Sequence, residues 1–280
     1  MRQIDVSQVI QLVEKLCMEA NYVLAADIKH CLQERSQKEE SPLGREILQT
    51  LVQNADIAAS ECSPMCQDTG MCVVFVRLGQ EVQIIGGFLE DAINQGVRQG
   101  YTKGYLRKSV VKDPLERINT GDNTPAIIHY ELMPGDGFEL TVAPKGSGSE
   151  NKSQLQMLTP SQGIEGIKAF ILQTVSEAGA NPCPPIIVGV GIGGTLERCA
   201  YLSKKALLRP VGSANPNPQL QALEQELLAE INKLGIGPAG FGGSTTAMAV
   251  HILTNATHIA GLPVSVNIGC HATRHAEGKI

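Results

Sequence analysis

The stretch NPCPPIIVGVGIGGTLERCA, residues 181–200, decides how the chain folds. Ile186–Ile192 is a short apolar run, bounded by prolines before it and by Gly193-Gly194 after it, and it reads as a buried strand. Thr195 to Leu208 then reads as a helix, so the segment is strand, glycine turn, helix. Gly189, Gly191 and Gly194 also satisfy the G-x-G-x-x-G pattern of dinucleotide binding. That reading needs an acidic residue about 20 positions further on, at the end of a second strand. The region here is Arg209-Pro210-Val211-Gly212, without an acid, and no βαβ repeat precedes it. A tight strand-to-helix turn able to hold a carboxylate at the helix start is the better reading. An NAD-binding or regulatory module remains the alternative from a different class.

Working outward, residues 4–35 read as helix, with Val6, Val9, Ile10, Val13, Leu16 and Cys17 on one face and a capping box at Asp5 and Gln8. Ser41-Pro42 opens a second amphipathic helix. Residues 71–78, MCVVFVRL, form a buried strand, and 88–106 a helix. Residues 125–133 and 138–144 read as a hairpin around Pro134-Gly135-Asp136-Gly137. Ser161 caps a helix running to Ala178, and 217–234 is a charged helix after the linker-like VGSANPNP, 211–218. Two apolar segments, 246–260 and 262–268, lead to Cys270. This irregular alternation predicts an α+β fold: a helical N-terminal part with a mixed sheet, in one domain spanning 1–280.

The 280 residues include eight Cys and no Trp, carry a formal charge of −5, and are 42% apolar, which is globular composition. The acidic balance and the lack of a Lys/Arg stripe exclude nucleic acid as the expected partner. No apolar run approaches a bilayer span, and MRQIDVSQVIQLVEKL lacks the apolar core of a signal peptide, so a cytoplasmic chain without a membrane partner is expected. There the cysteines are reduced thiols or ligands, not disulfides.

Cys17, Cys31, Cys72 and Cys199 fall within helix or strand patterns and read as packing, with Cys62 ambiguous. Cys66, Cys183 and Cys270 sit in loops beside Gly or Pro, where an ordered non-helical backbone can project a thiolate towards a metal. No C-x-x-C is present, which excludes zinc-ribbon and ferredoxin spacing. Three widely spaced cysteines would bind a cubane cluster through three irons and leave the fourth open to substrate. His271 and His275 read as solvated tail residues, and His258 stands upstream of the Cys270 loop.

Seven segments then occur in one order: Cys66–Gly70, Leu106–Ser109, Asn119–Pro125, Lys145–Lys152, Asn181–Pro185, Gly191–Thr195 and Gly269-Cys270. Together, from about residue 40 onward, they resemble the iron–sulfur hydro-lyases, class I fumarate hydratase and L-tartrate dehydratase. The resemblance implies a [4Fe–4S] cluster held by Cys66, Cys183 and Cys270, one iron lacking a protein thiolate. It implies Gln67, Asp68 and His258 as catalytic residues, Asp68 pairing with a Thr of a C-terminal domain. It further implies that Arg107, Gly146, Gly148 and Lys152 bind a small dicarboxylate, with Lys145 and Arg274 as further basic candidates. The family's one-chain enzymes carry that C-terminal domain, whereas this sequence stops ten residues after Cys270. The resemblance is therefore to an α subunit completed by a separate β subunit, in an α2β2-like assembly. The implied reaction is the reversible hydration of fumarate to (S)-malate, a tricarboxylic acid cycle step, with an oxygen-sensitive cluster iron as Lewis acid. The loop 146–153 and the turn 191–195 look like those of fumarases, and L-tartrate is the alternative substrate.

Overall fold

The computed structural model describes residues 1–280. In chain order its elements are β1 (Arg2–Asp5), α1 (Val6–Tyr22), α2 (Ala26–Lys38), α3 (Pro42–Glu61), β2 (Met71–Gly79), β3 (Val82–Ile85), α4 (Leu89–Lys103), β4 (Ile127–Met133), β5 (Phe138–Lys145), α5 (Ser147–Glu150), β6 (Gln154–Leu158), α6 (Gly163–Ala178), β7 (Ile186–Gly193), α7 (Leu196–Ala206), α8 (Pro218–Lys233), β8 (Ala247–Asn255), β9 (Leu262–Gly269) and β10 (Ala276–Lys279). The α+β expectation holds, and both four-stranded sheets are mixed. The chain divides into two compact units: Met1–Ala25 with Ala55–Gly146 and Arg274–Ile280, and Ala26–Asn54 with Ser147–Thr273.

In the first unit the sheet order is β10-β5-β2-β4, and β1 pairs separately with β3. The hairpin expected of residues 125–144 does not form. β4 and β5 flank β2 on either side, β4 parallel to it and β5 antiparallel. Their connection crosses the end of β2, where the Gly79 N–H donates to the Gly137 carbonyl at 2.8 Å. A Cβ on Gly79 would stand 2.4 Å from the Gly135 carbonyl oxygen, so this crossing requires glycine. The alternating inward residues of β5, Phe138, Leu140 and Val142, pack with Val13, Leu16 and Cys17 of α1 and Ile93 and Val97 of α4. The helix expected over 4–35 is two helices preceded by a strand. Val23 ends α1 in an extended conformation, with no Gly or Pro to announce the break. Asp5 caps α1 through a 2.9 Å bond from the Ser7 N–H.

In the second unit the order is β6-β9-β7-β8. β7 is wholly buried and pairs parallel with β8 and antiparallel with β9. Its period of two divides the faces. Val188, Val190 and Ile192 enter the apolar core shared with Phe170, Ile171 and Val175 of α6 and Leu223, Leu227 and Ile231 of α8. Gly189 and Gly191 face α7 so closely that a Cβ on either would lie 2.2 Å from a backbone oxygen, of Ser203 or Cys199. These two glycines of the fingerprint therefore serve helix packing. The Gly194 N–H is taken by the Ala256 carbonyl at 3.1 Å, so the turn does not present that donor to a carboxylate. β8, the parallel neighbour, ends on Leu253-Thr254-Asn255 without an acid, which removes the dinucleotide reading. Residues 211–218 are no linker, because Asn215 is buried and bonds Glu224 at 2.7 Å and the Ile252 carbonyl at 3.1 Å. Thr159, not Ser161, opens the α6 region, capping a 3-10 turn at Pro160–Gln162.

Candidate functional site

Cys66, Gln67 and Asp68 lie in the loop between α3 and β2, and the first unit fixes this loop at several points. The Asp68 Oδ1 accepts the Gly70 N–H at 3.0 Å, and its carbonyl accepts the Arg274 guanidinium at 2.5 Å. The Tyr101 hydroxyl, fully buried, faces the Thr69 and Gly70 carbonyls at 2.8 and 3.1 Å. Burial pushes the Tyr101 phenol well above its ordinary range, so it stays a neutral donor. Asn123, fully buried, donates to the Gly70 carbonyl at 3.2 Å and accepts the Ser109 N–H at 2.7 Å. The Thr69 hydroxyl donates to the Arg107 carbonyl at 3.0 Å, which ties the Arg107 segment to the same loop while its guanidinium remains exposed. Gly146 completes the group, since a Cβ there would lie 3.0 Å from the Asp68 Oδ2. Cys66, half-buried, has its thiol 3.6 Å from the Gln67 amide oxygen.

In the second unit Cys183 is exposed, with a positive φ of 55°, in the loop entering β7. Cys270 follows β9, whose antiparallel register with β7 puts its end beside the start of β7, Ile187 opposite Gly269. The two loops are joined directly. The Cys183 carbonyl faces the His271 N–H at 3.2 Å and the His271 Nδ1 at 3.0 Å. His271 is therefore not a solvated tail residue. Arg274 is 5% exposed and Ala276–Lys279 pair with β5, so the expected tail is ordered structure. Gly148 stands against the same loop, its position for a Cβ lying 3.6 Å from the Asn181 carbonyl. Lys152 is half-buried just past α5, its N–H bonded to the Ser149 carbonyl at 3.2 Å. The Cys183 loop is held from behind by the Ala239 N–H, 2.8 Å from the Pro184 carbonyl. Buried Glu39 holds the glycine-rich loop that carries Ala239, accepting the Ser244 N–H at 2.8 Å and the Ser41 N–H at 3.0 Å. Against the opposing effect of burial, these bonds keep the Glu39 carboxyl below its usual range.

Within the second unit His258 is not brought to Cys183 or Cys270. It lies exposed in the turn between β8 and β9, its Nδ1 accepting the Ala260 N–H at 3.1 Å. That turn is at the Gly193 end of β7, whereas Cys183 and Cys270 are at the Ile186 end. Eight strand residues separate the two ends, about 25 Å at the usual rise. The Gly191–Thr195 turn lies at the same far end as His258. Glu39, Tyr101, Asn123 and His271 are the residues that sequence reasoning did not assign. Asn123 alone carried a signal, as part of the Asn119–Pro125 motif.

The donor chemistry fits an iron–sulfur cluster. Cys66, Cys183 and Cys270 form no disulfide and lie outside helices and strands, each partly or fully exposed. Cys17, Cys31, Cys72 and Cys199, buried or half-buried, behave as packing groups, whereas Cys62 is exposed. Cys17 is raised by its Cys72 neighbour and by burial, Cys31 by burial, and Cys199 by burial to about 11. No three His, Cys, Asp or Glu side chains converge as the ligands of a single ion would.

The family model for fumarate hydratase (Fumerase) matches residues 10–279. A Methanocaldococcus jannaschii protein described as "Putative L(+)-tartrate dehydratase subunit alpha" is 42% identical over 98% of both chains. The L(+)-tartrate dehydratase subunit alpha of Escherichia coli strain K12 is 34% identical over 98% of this chain and 91% of its own length. That of Escherichia coli strain UTI89 is 34% identical over the whole of this chain and 93% of its own.

Proposed function

The chain belongs to the iron–sulfur hydro-lyase family of class I fumarate hydratase, and from that premise we propose that it is the cluster-holding α subunit of an enzyme that reversibly hydrates fumarate to (S)-malate. The observation that carries this reading is the junction of the Cys183 and Cys270 loops through His271, at one end of β7 and β9. Two ligands of one cluster need such a shared support. Cys66 is the third proposed ligand, in its own fixed loop. When bound, a [4Fe–4S] cluster with one iron free of protein thiolate supplies a Lewis acid for the hydroxyl that is added or lost.

The chain's own residues supply positioning and proton handling. Asp68 follows Gln67 directly after the proposed ligand Cys66, and its carboxylate is held through Oδ1 by the Gly70 N–H. Oδ2 lies on the side of Gly146, where the missing side chain leaves room for a ligand. We assign Asp68 to proton transfer at the carbon next to the far carboxylate, with Gln67 as a hydrogen-bond partner of the substrate. Arg107 suits bidentate binding of a carboxylate, its backbone anchored by Thr69 and its guanidinium open to solvent. Gly148 and Lys152 form the corresponding candidate pair in the second unit. His258 is left out of this chain's cysteine end because a full sheet length separates them.

The relatives are named as α subunits, which supports a separate β subunit contributing the remaining groups, and an α2β2-like assembly is part of the proposal. No helix is long and apolar enough to cross a membrane, and a cytoplasmic location is part of the proposal. The choice of fumarate rests on the 146–153 loop, which looks like that of fumarases. L-tartrate dehydration is the second reading, favoured by the names of the relatives. Initial rates with fumarate, (S)-malate and L-tartrate, measured without oxygen on the chain assembled with its β subunit, decide between them. Faster turnover of fumarate and malate is expected; faster turnover of tartrate would transfer the reading to the second substrate.

A further inference from the structure

The loop that carries Gly148 and Lys152 is too short to hold its own shape. α5 is one turn of four residues, Ser147–Glu150, and it leads into β6 at the edge of its sheet. A polar cluster inside the second unit fixes it, centred on the half-buried Glu150 carboxylate. Its Oε1 accepts a hydrogen bond from the Lys204 ammonium of α7 at 2.5 Å, and its Oε2 accepts one from Asn267 Nδ2 of β9 at 2.9 Å. Asn267 Nδ2 also donates to the Ser153 hydroxyl oxygen at 3.1 Å, which accepts the Ile268 N–H at 3.1 Å as well.

The alternation of β9 places the cluster. Val264, Val266 and Ile268 enter the apolar core, so Ser265 and Asn267 lie on the opposite face, towards α7. There the Ser265 and Ser203 hydroxyls meet at 2.8 Å, and Lys204 is the next residue of α7. Gln154 of β6 pairs with Val266, which sets Ser153 opposite Asn267. Asn267 is buried and stands three residues before Cys270. An acid in a loop assigned to a dicarboxylate would repel that ligand, and Lys204 cancels its charge.

We infer that Glu150 is a positioning residue for the substrate: its carboxylate, neutralised by Lys204 and tied to Asn267, holds residues 147–153 in register with the strand that delivers Cys270. The inference rests on the hydro-lyase reading, in which Gly148 and Lys152 bind a dicarboxylate.

The test uses the chain assembled with its β subunit and reconstituted without oxygen, as wild type, Glu150→Ala, Glu150→Gln and Glu226→Ala. Glu226 is a matched control, a carboxylate on α8 paired with Lys168 at 2.7 Å. KM and kcat are measured with whichever dicarboxylate the wild type turns over. Amide hydrogen exchange is followed without substrate at Asn151, Lys152 and Ser153, whose N–H groups bond within the turn. Glu150→Ala should raise KM about tenfold with kcat within about twofold, and speed that exchange about tenfold. Glu150→Gln keeps an acceptor for Lys204, and Asn267 Oδ1, which has no partner, can take the new amide N–H. Its KM should stay within about threefold of wild type. Glu226→Ala should match wild type in both measurements. If Glu150→Ala does not assemble, Lys204→Met, which strips the same carboxylate of its cation, carries the same expectations. Unchanged KM or unchanged exchange in the tested variant, or an equal rise of KM in Glu226→Ala, would overturn the inference and leave the hydro-lyase reading standing. A wild type that turns over neither fumarate, (S)-malate nor L-tartrate would overturn that reading, and this inference with it.

Discussion

Gly146→Ala probes the geometry around Asp68 with the smallest available change. The new Cβ would sit 3.0 Å from the Asp68 Oδ2 and 3.4 Å from its Cγ, so a displacement of a few tenths of an ångström is required. Neither side can yield freely. Asp68 is held at Oδ1 by the Gly70 N–H and at its carbonyl by Arg274. Residue 146 directly follows β5, where Lys145 pairs with Met71 and packs against Gly70 so closely that a Cβ there would lie 2.6 Å from the Lys145 carbonyl carbon. The carboxylate must therefore rotate away from its position. A misplacement of about 1 Å at a reacting group costs on the order of 100-fold in rate, so a few tenths should lower kcat/KM about tenfold, or ~1.4 kcal/mol. The backbone of residue 146 is not in the left-handed region, so alanine adds no torsional strain and Tm should fall by no more than about 3 °C. The assay is steady-state fumarate hydration beside thermal unfolding of the same preparation. Wild-type kinetics would refute the assignment of Asp68 to the reaction. A collapse of Tm would refute the claim that the effect is local.

Gly148→Ala meets nothing closer than 3.6 Å within the chain, so its Tm should match wild type. A fall in kcat/KM with the Tm unchanged would then report a ligand at that position, and unchanged kinetics would remove Gly148 from the substrate site. Asn123→Ala leaves the Ser109 N–H without its acceptor, removes one of the two side-chain donors to the Gly70 carbonyl, and replaces an Asn at a φ of 62°. It should cost about 3 kcal/mol in urea unfolding, and a loss below about 1 kcal/mol would contradict the role given to it. The depressed pKa of His251, about 4 against 6.5, means that the unfolded chain takes up a proton first as pH falls. Its contribution is intact above 6.5 and lost progressively down to 4, about 2 kcal/mol by pH 5. Denaturant unfolding at pH 7.5 and pH 5 should show that fraction of the loss missing in His251→Leu; an equal loss in both proteins would refute it.

What the sequence revealed follows the range of the interactions concerned. The strand at 186–193 and the helix after it were legible because a Val/Ile run bounded by prolines and glycines has few other solutions. The hairpin error at β4 and β5 arose because a Pro-Gly-Asp-Gly turn gives the reversal of the chain but not what passes beneath it. The pairing of β2 with both strands puts it between them, and Gly79 fits under Gly135 at the crossing. Short strands such as β1 and β10 draw their stability from partners far along the chain and carry no strong local pattern. Within the site, Cys183 and Cys270 stood out through their Pro and Gly neighbours, and Asp68 through its motif. His271 was misread as tail because its partner, the Cys183 carbonyl, is 88 residues away. His258 drew attention through closeness in sequence to Cys270, yet the intervening residues include all of β9, which carries the two to opposite ends of the sheet.

The account stands most directly on the iron bound by three particular cysteines. Iron and sulfide per chain should be measured on protein prepared and reconstituted without oxygen, for the wild type and for Cys66→Ala, Cys183→Ala, Cys270→Ala and Cys31→Ala. The wild type and Cys31→Ala should each hold about four irons and four sulfides per chain, and each of the other three variants should lose most of both. A wild-type chain that stays colourless and iron-free after reconstitution, or a Cys183→Ala chain that keeps its full iron content, would contradict the account.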